Sequence, residues 1–185
     1  MTPEAFIKDY IQRWEGGLSL DKADTGNWID GELIGSKYGV TGAALAKHRG
    51  VSAGSITAKQ MADLTIDEAV AIGKALYYDA PGFGRLPWNR VTASIVDFGW
   101  GAGPVQAIKI MQRMVGAGDD GKIGPETIRK YGDWLEASKA EQWAERRNAF
   151  YDLIIKNRPA NAKFRNGWRN RTAYFEPNSS WWRNW

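Results

Sequence analysis

No cysteine occurs in the 185 residues, and His48 is the single histidine. The first absence excludes a disulfide framework and a thiolate metal site; the second argues against a His-rich metal centre and against a Ser-His-Asp triad. No apolar run reaches the ~18 residues that a membrane-crossing helix needs, so stable membrane insertion is not expected. The opening Met1-Thr2-Pro3-Glu4-Ala5-Phe6 lacks the basic-then-apolar layout of a cleavable signal. The chain is therefore expected to be made as a cytoplasmic protein, and separate machinery must release it if its substrate lies outside. Internal repeats and coiled-coil heptads are missing as well. No motif asks for a cofactor or a metal, which leaves carboxylates as the natural carriers of chemistry.

What is present is a mild positive charge and many aromatics. A net charge of +4 and a pI near 9.3 attract anionic partners, among them nucleic acids, membrane surfaces and acidic envelope polymers, without choosing between them. Ten Trp, seven Tyr and six Phe are a heavy aromatic load for this length, part of which must be core. Flat rings with a polar edge also stack on the C–H faces of sugars, while core packing is the ordinary role of any single Trp.

The pattern along the chain is mainly helical. Thr2 as N-cap and Pro3 at the first helical position open a helix with Phe6, Ile7, Tyr10, Ile11 and Trp14 on one face, and Gly16-Gly17 end it. From Leu18 to Val40 the helical period fails, and glycines alternate with Asp21, Asp24 and Asp30; this reads as a loop or irregular β-hairpin. Thr57-Ala58-Lys59-Gln60, Thr65-Ile66-Asp67-Glu68 and Ser138-Lys139-Ala140-Glu141 each fit a capping box at a helix start. The Gly-rich Pro81 to Pro87 marks a boundary, giving regions 1–86 and 87–185. In the second region, helices are expected around Val91 to Phe98, after Gly103-Pro104, after Gly124-Pro125, and from Ser138 to about Lys156. Length favours one body or two lobes, which read as packed into one unit and a monomer.

Glu15 stands at the end of the first helix beside Trp14. The negative end of a helix and partial burial both favour the protonated carboxyl that general-acid catalysis uses. Asp24 follows nine positions later across a turn, so the two carboxyls could face each other over a sugar, as glycoside hydrolysis requires. On spacing alone the pair reads first as solvated caps or surface charges. Asp24 in particular reads either as a second catalytic group or as the residue that shapes the Asp-Thr-Gly turn. Asp21 and Asp30 read as turn residues, as does Asp119-Asp120-Gly121, which lacks the remaining ligands of a calcium loop. His48 reads as a charge at a helix end. The basic, aromatic tail from Arg158, including Trp168, Trp181, Trp182 and Trp185, reads first as packing.

The runs Trp14-Glu15-Gly16-Gly17, Asp24-Thr25-Gly26-Asn27-Trp28 and Gly35-Ser36-Lys37-Tyr38-Gly39-Val40-Thr41 resemble the N-terminal signature of glycoside hydrolase family 108. Asp97-Phe98, Gly103-Pro104, Ala107, Gln112, the run Asp120 to Thr127 and Gly167-Trp168-Arg169-Asn170-Arg171 are similar to the peptidoglycan-binding region that follows it. The resemblance implies a lysozyme-like fold of two lobes, with the irregular β segment near the active site. It implies an N-acetylmuramidase of the phage endolysin or secretion-associated kind, acting on peptidoglycan strands and made in a bacterial host without a signal peptide.

Glu15 matches the family's catalytic acid. Asp24 is the second catalytic candidate, and Ser36, which stands where the family often has Thr, keeps a hydroxyl for water or substrate. Substrate contacts are expected from Trp28, Tyr38, Thr41 and Trp100, although the Asn that the family tends to carry around Trp100-Gly101 is missing here. Two rival readings accompany this one: a peptidoglycan-binding protein without catalysis, and a lytic transglycosylase cutting the same bond. Nucleic-acid binding has no motif behind it beyond charge.

Overall fold

The computed structural model describes residues 1–136, 140–176 and 179. These are mainly α-helical, with two small antiparallel sheets, the architecture expected from the sequence. They divide into two compact units, Thr2–Leu76 and Tyr77–Trp185, the second also taking in Met1. That division falls earlier in the chain than the Pro81–Pro87 segment. Phe83 and Leu86 in this segment are buried, so the Gly- and Pro-rich stretch is packed.

In the first unit, helix α1 spans Pro3–Trp14, and Thr2 caps it by accepting from the Ala5 N–H at 3.2 Å. Phe6, Ile7, Tyr10 and Ile11 recur at helical spacing and are buried, which lays α1 against helix α4 (Ile66–Lys74) and its buried Ala69 and Ile72. Between them lie helices α2 (Gly42–Arg49) and α3 (Ala58–Ala62). The capping box at Thr57 and Gln60 forms in full. At Thr65 only half of the expected box forms: Thr65 accepts from the Glu68 N–H, but the Glu68 carboxylate is taken by Arg49 at 2.8 and 2.9 Å. That guanidinium holds the Glu68 carboxyl below its usual range. Beyond Lys74 the helix widens into a π-turn, Ala75–Asp79.

The segment that lacked helical period folds as two tight hairpins. Strands β1 (Trp28–Ile29) and β2 (Glu32–Leu33) are joined by Asp30-Gly31, and β3 (Ser36–Lys37) and β4 (Val40–Thr41) by Tyr38-Gly39. In each loop both central residues have positive φ, 50° and 84° in the first, 55° and 74° in the second, as two-residue I′ turns require. Buried Asn27 joins the hairpins, its carbonyl accepting from the N–H groups of Ile34 and Gly35 at 2.8 and 2.9 Å.

The second unit is built on helices α5 (Arg90–Ala102), α6 (Pro104–Val115), α7 (Pro125–Glu136), α8 (Ala140–Asn157) and α9 (Arg165–Ala173). Every residue of α5 from Val91 to Gly99 is buried, the pattern of a central bundle helix. Inside lies an ion triad: Asp97 accepts from Arg147, which is fully buried, and from Arg171 at 2.9 Å. Phe98, Tyr151 and Phe175 surround the Arg147 guanidinium at 5.7 to 5.8 Å from their ring centres.

Several motif residues of this half thus have structural duties. The Gln112 amide donates to Asp120, to the Lys122 carbonyl and to Thr127, and accepts from the Gly121 N–H, locking the Asp119–Gly121 turn. Trp168 stacks on Tyr151 at 4.9 Å. Arg113 pairs with Asp119 at 2.7 Å. Ser138 with Lys139, and Trp181, Trp182 and Trp185, lie outside the described residues. Among the described residues no helix is long and apolar enough to cross a membrane.

Candidate active site

Helix α1 stops because Glu15 turns to extended backbone, φ −99° and ψ 128°, while its N–H still donates to the Ile11 carbonyl at 3.1 Å. The side chain of this last residue is half-buried. Trp14, expected to cover it, is 39% exposed. Its polar neighbour is instead Tyr10, a core residue on the buried face of α1, whose hydroxyl donates to Glu15 Oε1 at 3.1 Å. Among the described residues no Lys or Arg pairs with Glu15. The carboxyl is thus held by a neutral donor and not by a cation.

The other side of the Glu15 carboxyl is bounded by the β3–β4 turn. A Cβ added to Gly39 would lie 2.9 Å from Glu15 Oε2 and 3.0 Å from Cδ, so the bare Cα at this position makes the room in which the carboxyl sits. The chain leaving Glu15 is fastened to the same hairpin. Gly16 accepts from the Tyr38 N–H at 3.2 Å, and Ser19 and Ser36 exchange backbone bonds of 2.7 and 3.0 Å. The Gly16-Gly17 pair therefore does more than end a helix: it leads the chain into an antiparallel pairing that places the acid against the turn.

Asp24 is exposed and caps the short 3-10 turn Thr25–Asn27, its Oδ1 accepting from the Gly26 N–H at 2.9 Å. The Asp24 carboxylate and the Thr41 methyl flank Gly26, lying 3.2 and 3.3 Å from where its Cβ would be. Thr41 itself caps α2 through the Ala44 N–H at 3.3 Å. Trp28 is 38% exposed, with its indole N–H fixed on the Lys22 carbonyl at 3.1 Å. Ser36 and Tyr38 are half-buried on the second hairpin, and the Lys37 ammonium lies 5.2 Å from the Tyr38 ring centre.

Glu15, Ser36, Tyr38 and Thr41 are thus gathered on or against one hairpin, and Asp24 joins them through Gly26. Trp100 belongs to the second unit, where it stacks on Tyr77 at 4.2 Å. Sequence reasoning missed Tyr10 and Gly39. Tyr10 was hidden because an apolar helical stripe accounts for it fully; a hydroxyl five residues before a helix-end carboxyl was the available signal. Among the described residues no group of three or more His, Asp or Glu could hold a metal ion.

A mainly helical fold whose first helix ends in a carboxyl set against short hairpins is of the lysozyme-like class. The structure of Brucella abortus SagA is similar to it, with a TM-score of 0.69 and 24% identity over 93% of this chain and 90% of that one. The family model Glycosyl hydrolase 108 matches residues 8–103, and the chain belongs to that family. A second model, Predicted Peptidoglycan domain, matches residues 106–173. No curated relative matches the chain. The protein is a glycoside hydrolase of the muramidase type that acts on peptidoglycan.

Proposed function

We propose that the chain is an endolysin-type muramidase that hydrolyses the β-1,4 bond between N-acetylmuramic acid and N-acetylglucosamine. Glu15 protonates the departing sugar oxygen, and the observation that carries this role is its carboxyl, held by Tyr10, seated against Gly39 and free of any cation among the described residues. Asp24 places water or stabilises the positive charge that develops on the sugar ring, and the Ser36 hydroxyl holds water or a substrate group in the same reaction. Its bond to the Gly26 N–H fixes the carboxylate in one orientation, so the turn duty and the catalytic duty are compatible. Trp28, Tyr38 and Thr41 supply sugar contacts from the hairpins, and Trp100 is a separate sugar contact of the second unit.

The test is Glu15→Gln, which keeps the hydrogen-bond acceptor for Tyr10 and removes the acid. Clearing of purified cell walls should fall by at least 100-fold with the melting temperature preserved, given the ~100- to 10,000-fold that a positioned proton donor contributes. Near-normal clearing would remove Glu15 from the role. Mass spectrometry of the released fragments should show reducing-end muramic acid; anhydro ends would identify a lytic transglycosylase. Wall binding without new ends would identify a binding protein only.

A further inference from the structure

Ser19 and Ser36 exchange backbone N–H···O bonds of 2.7 and 3.0 Å as a directly opposed antiparallel pair, and the register of the β3–β4 hairpin sets Thr41 opposite Ser36 on its other side. Residues directly opposed across antiparallel strands carry their side chains on the same face, with Cβ atoms about 5 Å apart. Ser19, Ser36 and Thr41 therefore form one row of hydroxyls across three chain segments. Two further contacts fix which face this is. Leu18 and Leu20, on either side of Ser19, reach over Gly35, where an added Cβ would meet their Cδ atoms at 3.4 and 2.8 Å, and alternation along the chain turns Ser19 away from them. Lys37 and Val40, the other opposed pair of the hairpin, take the opposite face, Val40 in the core and the Lys37 ammonium on the Ala62 carbonyl of α3.

The row ends at Asp24. The Thr41 methyl and the Asp24 carboxylate flank the same spot beside Gly26, 3.3 and 3.2 Å from where its Cβ would lie, so the hydroxyl face is the one against which Asp24 sits. The far end, Ser19, is exposed and stands four residues after Glu15. Each hydroxyl has a proton to give. Ser19 Oγ accepts from the Asp21 N–H at 3.4 Å and Thr41 Oγ1 from the Ala44 N–H at 3.3 Å, bonds that use a lone pair and leave the O–H as a donor. The Ser36 hydroxyl has no hydrogen-bond partner among the described residues. A row of neutral donors suits neutral oxygen acceptors, in which a sugar strand is rich. Water activated by Asp24 belongs at the Thr41 end, which leaves the Ser19 end for the substrate.

We infer that Ser19 is a substrate-binding residue of the hydrolytic site, its hydroxyl donating to an oxygen of the bound sugar strand. The inference rests on the muramidase reading of that site. It gives the segment between Glu15 and Asp24 a duty of its own: the chain that leaves the acid returns along the hairpin and carries a sugar contact on the way.

Steady-state hydrolysis of soluble, uncrosslinked glycan strands by Ser19→Ala tests this. KM should rise about 2- to 10-fold, the worth of one neutral hydrogen bond made alike to substrate and transition state, with kcat and its pH profile unchanged. The melting temperature should stay at that of the parent, because alanine keeps both backbone bonds to Ser36. Ser19→Thr, which keeps a hydroxyl on the same face, should restore the parental KM. Ser52→Ala, which removes an exposed hydroxyl that makes no cap bond elsewhere in the unit, should leave KM unchanged. An unaltered KM in Ser19→Ala, a loss confined to kcat, or a Ser19→Thr chain as impaired as Ser19→Ala would overturn the assignment. A parental KM in Ser19→Ala beside an inactive Glu15→Gln chain sinks this contact alone, whereas a Glu15→Gln chain that hydrolyses the strands normally sinks the reaction on which it rests.

Discussion

The Tyr10 hydroxyl donates to Glu15 Oε1 at 3.1 Å, linking a residue of the hydrophobic core to the helix-end acid. Tyr10 is 2% exposed and its ring packs on Phe6 at 6.4 Å, so the hydroxyl is delivered from a rigid platform. A rigid donor selects one rotamer of the acid, and orientation of a reacting group is worth large factors in rate. Tyr10→Phe keeps the ring and deletes the donor. Turnover on cell walls should fall about 10-fold with KM little changed, while stability falls by about 0.5–1.5 kcal/mol, the net worth of one hydrogen bond. Equal losses in binding and turnover would show that Tyr10 only supports the fold.

Gly39 and Gly31 separate backbone strain from crowding at the acid. Both have left-handed φ, 74° and 84°, in turns of the same kind. A Cβ at Gly39 would meet the Glu15 carboxyl at 2.9 Å, whereas at Gly31 nothing lies within 4 Å. Alanine at either position should therefore cost about 1–2 kcal/mol in denaturant unfolding, from the strain of a left-handed non-glycine residue. Only Gly39→Ala should also abolish clearing, because it pushes the carboxyl from its seat. Loss of activity in Gly31→Ala at equal stability would contradict the seating argument.

Asp24 caps a turn and is proposed to act in catalysis, and asparagine distinguishes the two roles. The amide oxygen of Asn can still accept from the Gly26 N–H, so the 3-10 turn should survive with its melting temperature within a few degrees of the parent. The negative charge that the proposed role uses, to stabilise a cationic transition state or to activate water, is gone. Asp24→Asn is expected to lower turnover by 100-fold or more on purified walls. Full activity in this variant would leave Asp24 as a turn residue alone.

The helices were legible because their signals are local. Thr2 with Pro3, the Thr57 box and Gly103 before Pro104 each occupy the position that a cap or first turn demands. Glu15 was found at a helix end because Gly16-Gly17 follow it. The hairpins could not be resolved from period, since each strand is two residues long and alternation needs more. Their turns were written in the sequence, Asp30-Gly31 plainly and Tyr38-Gly39 less so, because a tyrosine at φ 55° goes against its own preference. Glu68 shows the limit of local reasoning: its spacing from Thr65 fits a capping box, yet Arg49, nineteen residues away, competes for the carboxylate and wins. Asp97 and Gln112 carried the family resemblance and turned out to hold the second unit together, which no spacing rule distinguishes from ligand binding.

Asp97 makes the sharpest stability prediction. It is 1% exposed and accepts from fully buried Arg147 and from Arg171, and Arg147 donates besides to Ser94 and Tyr151. Replacing Asp97 by alanine leaves a guanidinium in the interior without its counter-charge, a loss of about 3–5 kcal/mol. Removing the exposed partner of a surface pair, as in Asp133→Ala opposite Arg129, should cost under about 1 kcal/mol. Urea unfolding followed by tryptophan fluorescence compares the two, since Trp143 donates to Ser94 beside the triad and reports on it. The Asp97 variant should also lose wall binding in proportion to its unfolded fraction, with hydrolysis of soluble glycan less affected. An Asp97→Ala chain as stable as the Asp133 variant would mean that Arg147 finds water or another acceptor, and the triad would then not be the keystone of the second unit.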